Sequence, residues 1–542
     1  MKKFEQFMAY IVALVICLSS ANFSCLQAFA KDNTDFVYQN KVHVLEKLGI
    51  LTETADDEKV VTRGDAALLI SNMGKRIYPV NDSEVTYYYD VDNQTQNAKE
   101  INSLKEYGIM LGYDNNLFKP NEIIECDDFI ITILRMGGFS AIADMRGGYP
   151  NGYSSFVQDI KRGVSVSDSF TYRQCVEVIY NALAIEVPVA SSSGAGQTNF
   201  KINSDYTLSE YLFEITKYSG TIVANGYISL NGRSRTENDQ ITVKEHGGTE
   251  KTFDTDEDSN EYIGSDIDYY VDKDEENVIC IFPCRQIKKI TVQNEDIIDV
   301  DTGITNVEYQ NTAGKAKKIS VIKDANFVYN GTSSYNVSAD DITQKEGYTE
   351  FIDTDDDGKY DLVKIWNYKT YFVGNISQSA YSISDINTGS TAVLDSDDSN
   401  YNLYIKKLGT EITFDMIEKY NVVSIAESNE DTGEKLITAE VSDNVIEGSI
   451  TGIAEDSVFI DGEEYQTAAG FNKGSISVGT KGKFGVNFRN KLVAVYTTTP
   501  DGIQYGFLMN VFSENGLEER GIVKLMNIDS QIVKLYTSDK FY

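Results

Sequence analysis

Between residues 40 and 185, apolar residues recur three or four positions apart, the spacing that places them on one face of an α-helix. This pattern ends three times at a glycine followed by a β-branched residue, at Gly49, Gly108 and Gly163. Glycine suits the left-handed conformation in which many helices end. A second helical stretch follows each glycine after a loop. The pattern therefore predicts three helix–loop–helix repeats of about 50–55 residues each.

The second helix of each repeat begins at a short polar segment, at residues 62–65, 125–128 and 171–174. In the first segment, the Thr62 hydroxyl can accept from the N–H of Asp65, whose carboxylate can accept from the N–H of Thr62. Such a capping box is a structural feature that needs no ligand. The third segment can form a similar box with glutamine in place of the aspartate, as Thr-x-x-Gln, and the middle segment has glutamate in place of the threonine.

Beyond residue 200 the pattern changes to alternating or β-branched and aromatic runs, separated by Asn-Gly, Asp-Gly and other glycine-containing turns. Such runs are typical of β-strands. A glycine followed by a β-branched strand recurs at about 75 residues or twice that interval. These glycines are Gly220, Gly374, Gly448 and Gly521, and each is expected to open a strand. The last of these modules is short, so it either completes against a neighbour or belongs to a longer protein.

The fold class predicted is a multidomain protein with an all-α anchor of three repeats, followed by small antiparallel β-modules that resemble barrels or sandwiches. Residues 188–200 are small and polar and predict a linker. The predicted boundaries are a signal peptide at 1–30, repeats at 31–86, 87–140 and 141–187, the linker, and β-modules at 201–285, 286–367, 368–445, 446–497 and 498–542.

The first thirty residues predict export. Lys2 and Lys3 precede an apolar run at residues 8–18, and Ala28-Phe29-Ala30 has the small-x-small pattern that signal peptidase cleaves. We expect cleavage after Ala30 and a protein secreted to a bacterial cell surface. No later segment reaches the length of a transmembrane helix.

Charge and composition exclude some functions. The chain has 48 Lys and Arg against 83 Asp and Glu, a formal charge of −35, which argues against nucleic-acid binding. Two histidines and few cysteines argue against a zinc site. Cys280 and Cys284 are spaced to close a small loop, and their redox state stays open.

The repeats carry recognisable motifs. The middle repeat has Tyr89-Asp90-Val91 and then Gly-Tyr-Asp-Asn-Asn-Leu-Phe-Lys-Pro at residues 112–120, and the first has Thr-Arg-Gly-Asp at 62–65. Residues 36–187 thereby resemble the S-layer homology (SLH) domain family. Its units combine an aromatic-Asp start, a Gly-x-x-Asp-Gly-x-Phe-x-Pro loop and a Thr-Arg-Ala-Glu helix start. The third repeat is degenerate and has its arginine displaced to Arg173.

The resemblance implies non-catalytic binding to secondary cell-wall polysaccharide, often through a pyruvylated sugar, by three units that form one pseudo-threefold anchor. Arg63 would hold a pyruvyl carboxylate at the helix N-terminus, where free N–H groups attract anions. Thr62, Gly64 and Asp65 would complete that site, and Arg173 would offer a second. The alternative is a solvent-exposed Arg63 paired with a neighbouring acid. On the first reading, Arg63→Ala weakens wall binding and leaves the fold intact.

An acidic segment in the β-region resembles a calcium loop. Asp353, Asp355, Asp357 and Asp361 occupy positions one, three, five and nine, with Gly358 at position six. Lys364 stands where a bidentate glutamate is usual. A solvated acidic turn is the alternative to calcium binding.

The favoured function is therefore a wall-anchored structural or adhesive surface protein, such as a self-assembling S-layer component. The alternative is a surface hydrolase or glycan-binding protein whose active domain is unrecognised or lies beyond residue 542. One tryptophan and two histidines offer little for a sugar-stacking cleft or a histidine-based catalytic site, so no catalytic residue is predicted.

Overall fold

The computed structural model describes residues 35–52, 56–81, 86–166, 169–194, 197–232, 235–344, 346–429, 435–468, 470–496, 506–514, 520–527 and 532–536. The predicted signal peptide lies outside these residues. The chain divides into an N-terminal region, Met1–Lys288, and a C-terminal region, Lys289–Tyr542. Within the described ranges, no helix has both the length and the apolar character required to cross a membrane.

The N-terminal region begins with helices in pairs. The helices are α1 (35–47), α2 (Arg63–Gly74), α3 (Ala98–Glu106), α4 (Cys126–Met136), α5 (Ser140–Met145), α6 (Ser154–Ile160), α7 (Tyr172–Leu183) and α8 (Leu208–Phe213). The segments predicted as the first, second and third repeats contain the helix pairs α1–α2, α3–α4 and α6–α7, and the repeat numbers below refer to these segments. Gly49, Gly108 and Gly163 follow the first helix of each pair at φ values of +66°, +70° and +83°. The predicted left-handed helix ends are therefore present, and the paired helices share one apolar core.

The segment predicted to be a linker forms a β-hairpin instead. Strand β1 (Glu186–Gly194) pairs antiparallel with β2 (Gln197–Thr207). The linker prediction for 188–200 is wrong because pairing satisfies the backbone of the small polar residues. Phe200 and Ile202 of β2 also lie against the helical core, which gives the hairpin an apolar contact that composition alone does not reveal.

Five further strands of the N-terminal region close into a barrel in the order β3-β4-β5-β7-β6. The strands are β3 (Ile215–Asn225), β4 (Gln240–Glu245), β5 (Glu250–Thr255), β6 (Asp266–Asp272) and β7 (Asn277–Pro283). Their inward side chains include Ile222, Val243, Phe253 and Tyr269, all buried. Closure pairs the strands that would otherwise present free edges.

The cysteines of the described residues are free thiols. Cys126, Cys175 and Cys280 are buried, and Cys284 is exposed. Burial raises the pKa of the Cys280 thiol to about 12, with the charge of Glu257 adding to the rise. Cys280 and Cys284 therefore do not close a disulfide loop in this structure.

Helix α1 is tied to the barrel by ionic contacts. Glu257 lies within ion-pair distance of His43, at 3.3 Å, and of Lys47, and the Asn40 amide donates to the carbonyl of Pro283 at 3.0 Å. Burial acts to raise the pKa of Glu257, but the hydrogen bonds from His43 and Lys47 outweigh it, so the pKa lies below its ordinary value.

This lowered pKa predicts acid sensitivity. A carboxylate whose folded pKa is depressed contributes stability above its unfolded pKa, about 4.3, and loses it as the pH falls through the folded value. Glu257→Gln is expected to lower the free energy of unfolding by about 1 kcal/mol at pH 7. The difference between wild type and variant should close below pH 4 in denaturant titrations. A gap of constant size from pH 7 to pH 3 would contradict the ionic origin.

The described residues of the C-terminal region form four sheets, each built from consecutive strands. The first has the order β8-β13-β14-β11-β10-β9 with β12 paired to β11, the second β17-β16-β15-β20-β21-β18-β19, the third β24-β23-β22-β25-β26 and the fourth β27-β28-β29. Most neighbouring strands are antiparallel, but β11 pairs in parallel with β14 and β18 with β21. Helix α9 (Ala339–Ile342) precedes β13.

The strand bounds follow the order of the chain. They are β8 (Lys288–Gln293), β9 (Ile297–Val300), β10 (Asn306–Gln310), β11 (Ala316–Tyr329), β12 (Thr332–Ser333), β13 (Gly347–Asp353), β14 (Tyr360–Asn367), β15 (Lys369–Ser377), β16 (Ser382–Asp385), β17 (Thr391–Val393), β18 (Tyr401–Lys407), β19 (Thr410–Glu411), β20 (Val422–Glu427), β21 (Lys435–Ser442), β22 (Val445–Ile453), β23 (Ser457–Ile460), β24 (Glu463–Gln466), β25 (Lys481–Val486), β26 (Leu492–Tyr496), β27 (Gly506–Glu514), β28 (Arg520–Asn527) and β29 (Ile532–Tyr536).

The recurring glycines do not open strands. Gly220, Gly374 and Gly448 lie inside β3, β15 and β22, and Gly521 is the second residue of β28. A Cβ on Gly220 would approach the Lys244 carbonyl oxygen to 2.7 Å. Gly220 thus permits a close approach between neighbouring strands, a common use of glycine inside a sheet.

Candidate functional site

Arg63, the residue expected to meet an anionic sugar, is buried with 7% of its surface exposed. Its Nε donates to the carbonyl oxygen of Phe118 at 2.8 Å and its Nη2 to that of Leu111 at 2.9 Å. The guanidinium also lies over the rings of Tyr113 and Phe118, at 4.9 and 4.7 Å. The structure contradicts the alternative of a solvent-exposed Arg63 paired with a neighbouring acid, whereas Arg63 as an anion ligand stays a prediction. The side chain has little solvent access because the loop of the second repeat covers it.

The N-terminus of α2 is also occupied. The N–H of Arg63 donates to the Glu122 carbonyl oxygen and the N–H of Gly64 donates to that of Pro120, both at 2.8 Å. A Cβ on Gly64 would lie 3.1 Å from the Pro120 oxygen, so a glycine allows this close approach. The expected free N–H donors therefore serve the contact between repeats.

Thr62 and Asp65 form the predicted capping box. The Thr62 hydroxyl accepts from the N–H of Asp65 at 3.1 Å, and the Asp65 carboxylate accepts from the N–H of Thr62 at 3.0 Å. Lys59 forms an ion pair with Asp65 at 3.0 Å. These contacts fix the start of the helix, and the box at Thr171 is likewise present.

Asp90 performs a role that sequence reasoning did not assign. Its two carboxylate oxygens accept from the backbone N–H groups of Phe118 and Lys119, at 2.8 and 2.6 Å. Lys119 has a φ of +60°, so the carboxylate stabilises a tight left-handed turn. Asp90 belongs to the aromatic-Asp start noted in the sequence. The two N–H groups that it binds lie 28 and 29 positions further along the chain, so the sequence did not indicate this contact.

Arg173 in the third repeat also meets acids of the same protein. Its guanidinium contacts the carboxylates of Asp35 and Asp57 at 2.9 and 3.4 Å, and it lies 4.0 Å from the centroid of the Tyr38 ring. The N–H of Arg173 donates to the Asp57 carbonyl oxygen and that of Tyr172 donates to the Lys59 oxygen. The structure thus places Arg173 against the first repeat.

These contacts connect the repeats in a closed order. The loop of the first repeat caps α7 of the third, and the loop of the second caps α2 of the first. Lys161 of the third repeat binds Asp127 at the start of α4 in the second, at 2.8 Å. Phe170 of the third repeat lies 5.3 Å from Phe129 of α4. Each repeat therefore contacts both of the others.

A groove of about 310 Å³ lies between α1 and α7. Two cations, Lys41 and Arg162, border it. In the part of the chain that the structure describes, no carboxylate lies within ion-pair distance of Lys41, whereas Arg162 pairs with Asp159 at a highly exposed position. Sequence reasoning missed both residues because Lys41 lies on α1 and Arg162 in the turn after α6, far apart along the chain. The lining residues are Val37, Tyr38, Lys41, Arg162, Gly163, Val164, Glu177 and Asn181.

Comparison with known families agrees with this geometry. Residues 87–124 match the model of the S-layer homology domain. The matched residues include Asp90 and the loop at residues 112–120, whose backbone groups bind the side chains of Asp90 and Arg63. A search of curated proteins returned no match. Residues 87–124 are therefore similar to an S-layer homology domain, the kind of domain that indicates a cell-surface protein associated with the bacterial cell wall.

Proposed function

We propose that the helical repeats attach the protein, without catalysis, to an acidic secondary cell-wall polysaccharide, and that the groove between α1 and α7 receives an acidic sugar such as a pyruvylated one. The observation that carries this proposal is the pair of cations at the groove in a chain with a net charge of −35. An anionic polymer is repelled by most of this surface, so a local cationic site determines where it binds.

The groove suits a small part of a glycan. Its volume of about 310 Å³ is at the lower end of the range for small-ligand sites. Lys41 supplies an ammonium group that no described carboxylate neutralises, and Arg162 adds a second cation near the exposed rim. The Glu177 carboxylate and the Asn181 Oδ1 can accept from sugar hydroxyls. The negative charge of Glu177 offsets one of the two cations, so Lys41 is the group expected to meet the acidic substituent.

The motif residues then have a positioning role. Arg63 and Asp90 hold the loop of the second repeat, and Thr62, Gly64 and Asp65 build the helix start against it. Arg173 holds Tyr38, which forms part of the groove. The β-rich remainder is the displayed part, for which we propose a structural or adhesive role such as that of an S-layer component.

The purified chain is expected to sediment with cell-wall sacculi that retain their polysaccharide. Treatment of the sacculi with hydrofluoric acid, which strips the polymer, should abolish sedimentation because the acidic sugars are on the polymer. Binding that survives this treatment would show that peptidoglycan itself is the ligand and would refute the proposal.

Lys41→Gln is expected to weaken sacculus binding by about tenfold or more, since a hydrogen bond to a charged group contributes about 1.5–3 kcal/mol. The matched control is Lys201→Gln, which removes the same charge from an exposed position on β2. Equal affinity of Lys41→Gln and wild type would move the site away from this groove.

A further inference from the structure

The acidic segment of the C-terminal region lies in a tight connection between two paired strands. Strand β13 ends at Asp353 and β14 begins at Tyr360, and their antiparallel register extends to Ile352 opposite Leu362. The connection brings Asp353, Asp355 and Asp361 together, with one carboxylate oxygen from each within 4.8 Å of the others. Three carboxylates this close repel one another unless a cation or protons neutralise them.

Asp353 supplies an independent indication of a ligand. Its side chain is buried, with 5% of the residue surface exposed. One carboxylate oxygen, Oδ2, accepts from the N–H of Gly358 at 3.0 Å. The other, Oδ1, is buried and has no hydrogen-bond partner among the described residues. A buried carboxylate oxygen without a partner is costly, and coordination to a cation removes that cost.

The other two acids differ in environment. The Asp361 carboxylate accepts from the N–H and the hydroxyl of Thr354, at 3.1 and 2.6 Å. Burial raises the pKa of Asp361, and the charges of Asp355 and Asp353 raise it further. Asp355 is exposed at the solvent side of the cluster, so a cation can reach the cluster from water.

Asp357, the fourth acid of the predicted loop, lies outside the cluster. Its Oδ1 accepts instead from the N–H of Lys359 at 2.8 Å. The predicted set of four ligands is therefore reduced to three. Gly358 adopts a φ of +85°, which lets the chain turn so that its N–H meets Asp353.

We propose that the β13–β14 turn binds a calcium ion through Asp353, Asp355 and Asp361. Oxygen-only ligands suit a hard cation, and calcium tolerates irregular coordination completed by carbonyl groups or water. Magnesium requires a nearly ideal octahedron, and zinc favours nitrogen and sulfur ligands. Lys364, at the usual glutamate position, is buried on β14 and supplies no carboxylate. We therefore expect weak binding, with a dissociation constant on the order of 10⁻⁴–10⁻³ M, as in extracellular calcium-binding modules.

The test is calorimetric titration of the full chain, freed of metal by chelation, with calcium and separately with magnesium. The variants are Asp353→Asn, which retains the shape and the acceptor for Gly358, and Asp355→Asn at an exposed position. The matched control is Asp397→Asn, which removes one charge from an exposed loop acid outside the cluster. This control measures the calcium that the acidic exterior attracts without a specific site.

Wild type and Asp397→Asn are expected to bind calcium alike and in preference to magnesium. Asp353→Asn and Asp355→Asn should each weaken calcium binding by at least about tenfold, the effect that even a supporting residue has at a metal site. Because Asp355 is exposed, its replacement tests the site even if Asp353→Asn fails to fold. Calcium binding by Asp355→Asn equal to that of wild type, or equal binding of both ions by wild type, would overturn the proposal.

Discussion

Replacing Arg63 by alanine is expected to lower the free energy of unfolding of the N-terminal region by roughly 3 kcal/mol or more. The change removes two charge-assisted hydrogen bonds, each of which contributes about 1.5–3 kcal/mol. It also leaves the Phe118 and Leu111 carbonyl oxygens without these donors. The measurement is urea unfolding followed by the helical circular dichroism signal, which reports mainly on the N-terminal region.

Two further variants serve as controls for this measurement. Arg63→Lys retains the charge but lacks the fork that reaches both carbonyl groups, so it should recover only part of the loss. Arg162→Ala removes an exposed arginine and should change stability by no more than about 0.5 kcal/mol. An Arg63→Ala protein as stable as wild type would contradict the prediction, because it would mean that water replaces the guanidinium without lowering the free energy of unfolding.

Replacing Phe118 by alanine is expected to cost about 3–5 kcal/mol, the usual effect of truncating a fully buried phenylalanine. The side chain has no exposed surface, and its ring lies 5.4 Å from that of Tyr88 and beneath the guanidinium of Arg63. The backbone groups that meet Arg63 and Asp90 remain in the variant. The loss measured in the same urea titration therefore reports on the ring.

The neighbouring Tyr89 provides the control for this prediction. Tyr89 is 83% exposed, so Tyr89→Ala should leave the unfolding midpoint nearly unchanged. Phe118→Leu should fall between alanine and wild type because it fills part of the cavity. If Phe118→Ala and Tyr89→Ala had equal effects, the loop of the second repeat would not be part of the core.

Local features of the helical region could be predicted from the sequence. The capping boxes at Thr62 and Thr171 and the left-handed glycines depend on residues within one helix end, so their spacing along the chain is sufficient evidence. The middle repeat was also identifiable, because Asp90 and the loop at residues 112–120 retain the family motif.

The fate of Arg63 could not be predicted in the same way. Its burial depends on the carbonyl groups of Leu111 and Phe118, which lie 48 and 55 positions away, and no local sequence pattern indicates such a contact. The groove could not be predicted either, since nothing in the sequence around Lys41 or Arg162 indicates that the fold brings the two residues to one groove. The hairpin at residues 188–200 was missed because a polar, small-residue segment forms a strand when a partner strand is available.

The closed order of contacts among the three repeats fixes their copy number. Stacked repeat proteins gain or lose units because each unit touches only its sequence neighbours. Here the third repeat also contacts the first, so deleting the first would leave α7 without its backbone acceptors and the loop of the second repeat without its helix. Deleting the second would leave α2 without its acceptors, and deleting the third would leave the loop of the first without its helix. The third repeat can therefore diverge in its motif side chains during evolution while its backbone remains indispensable.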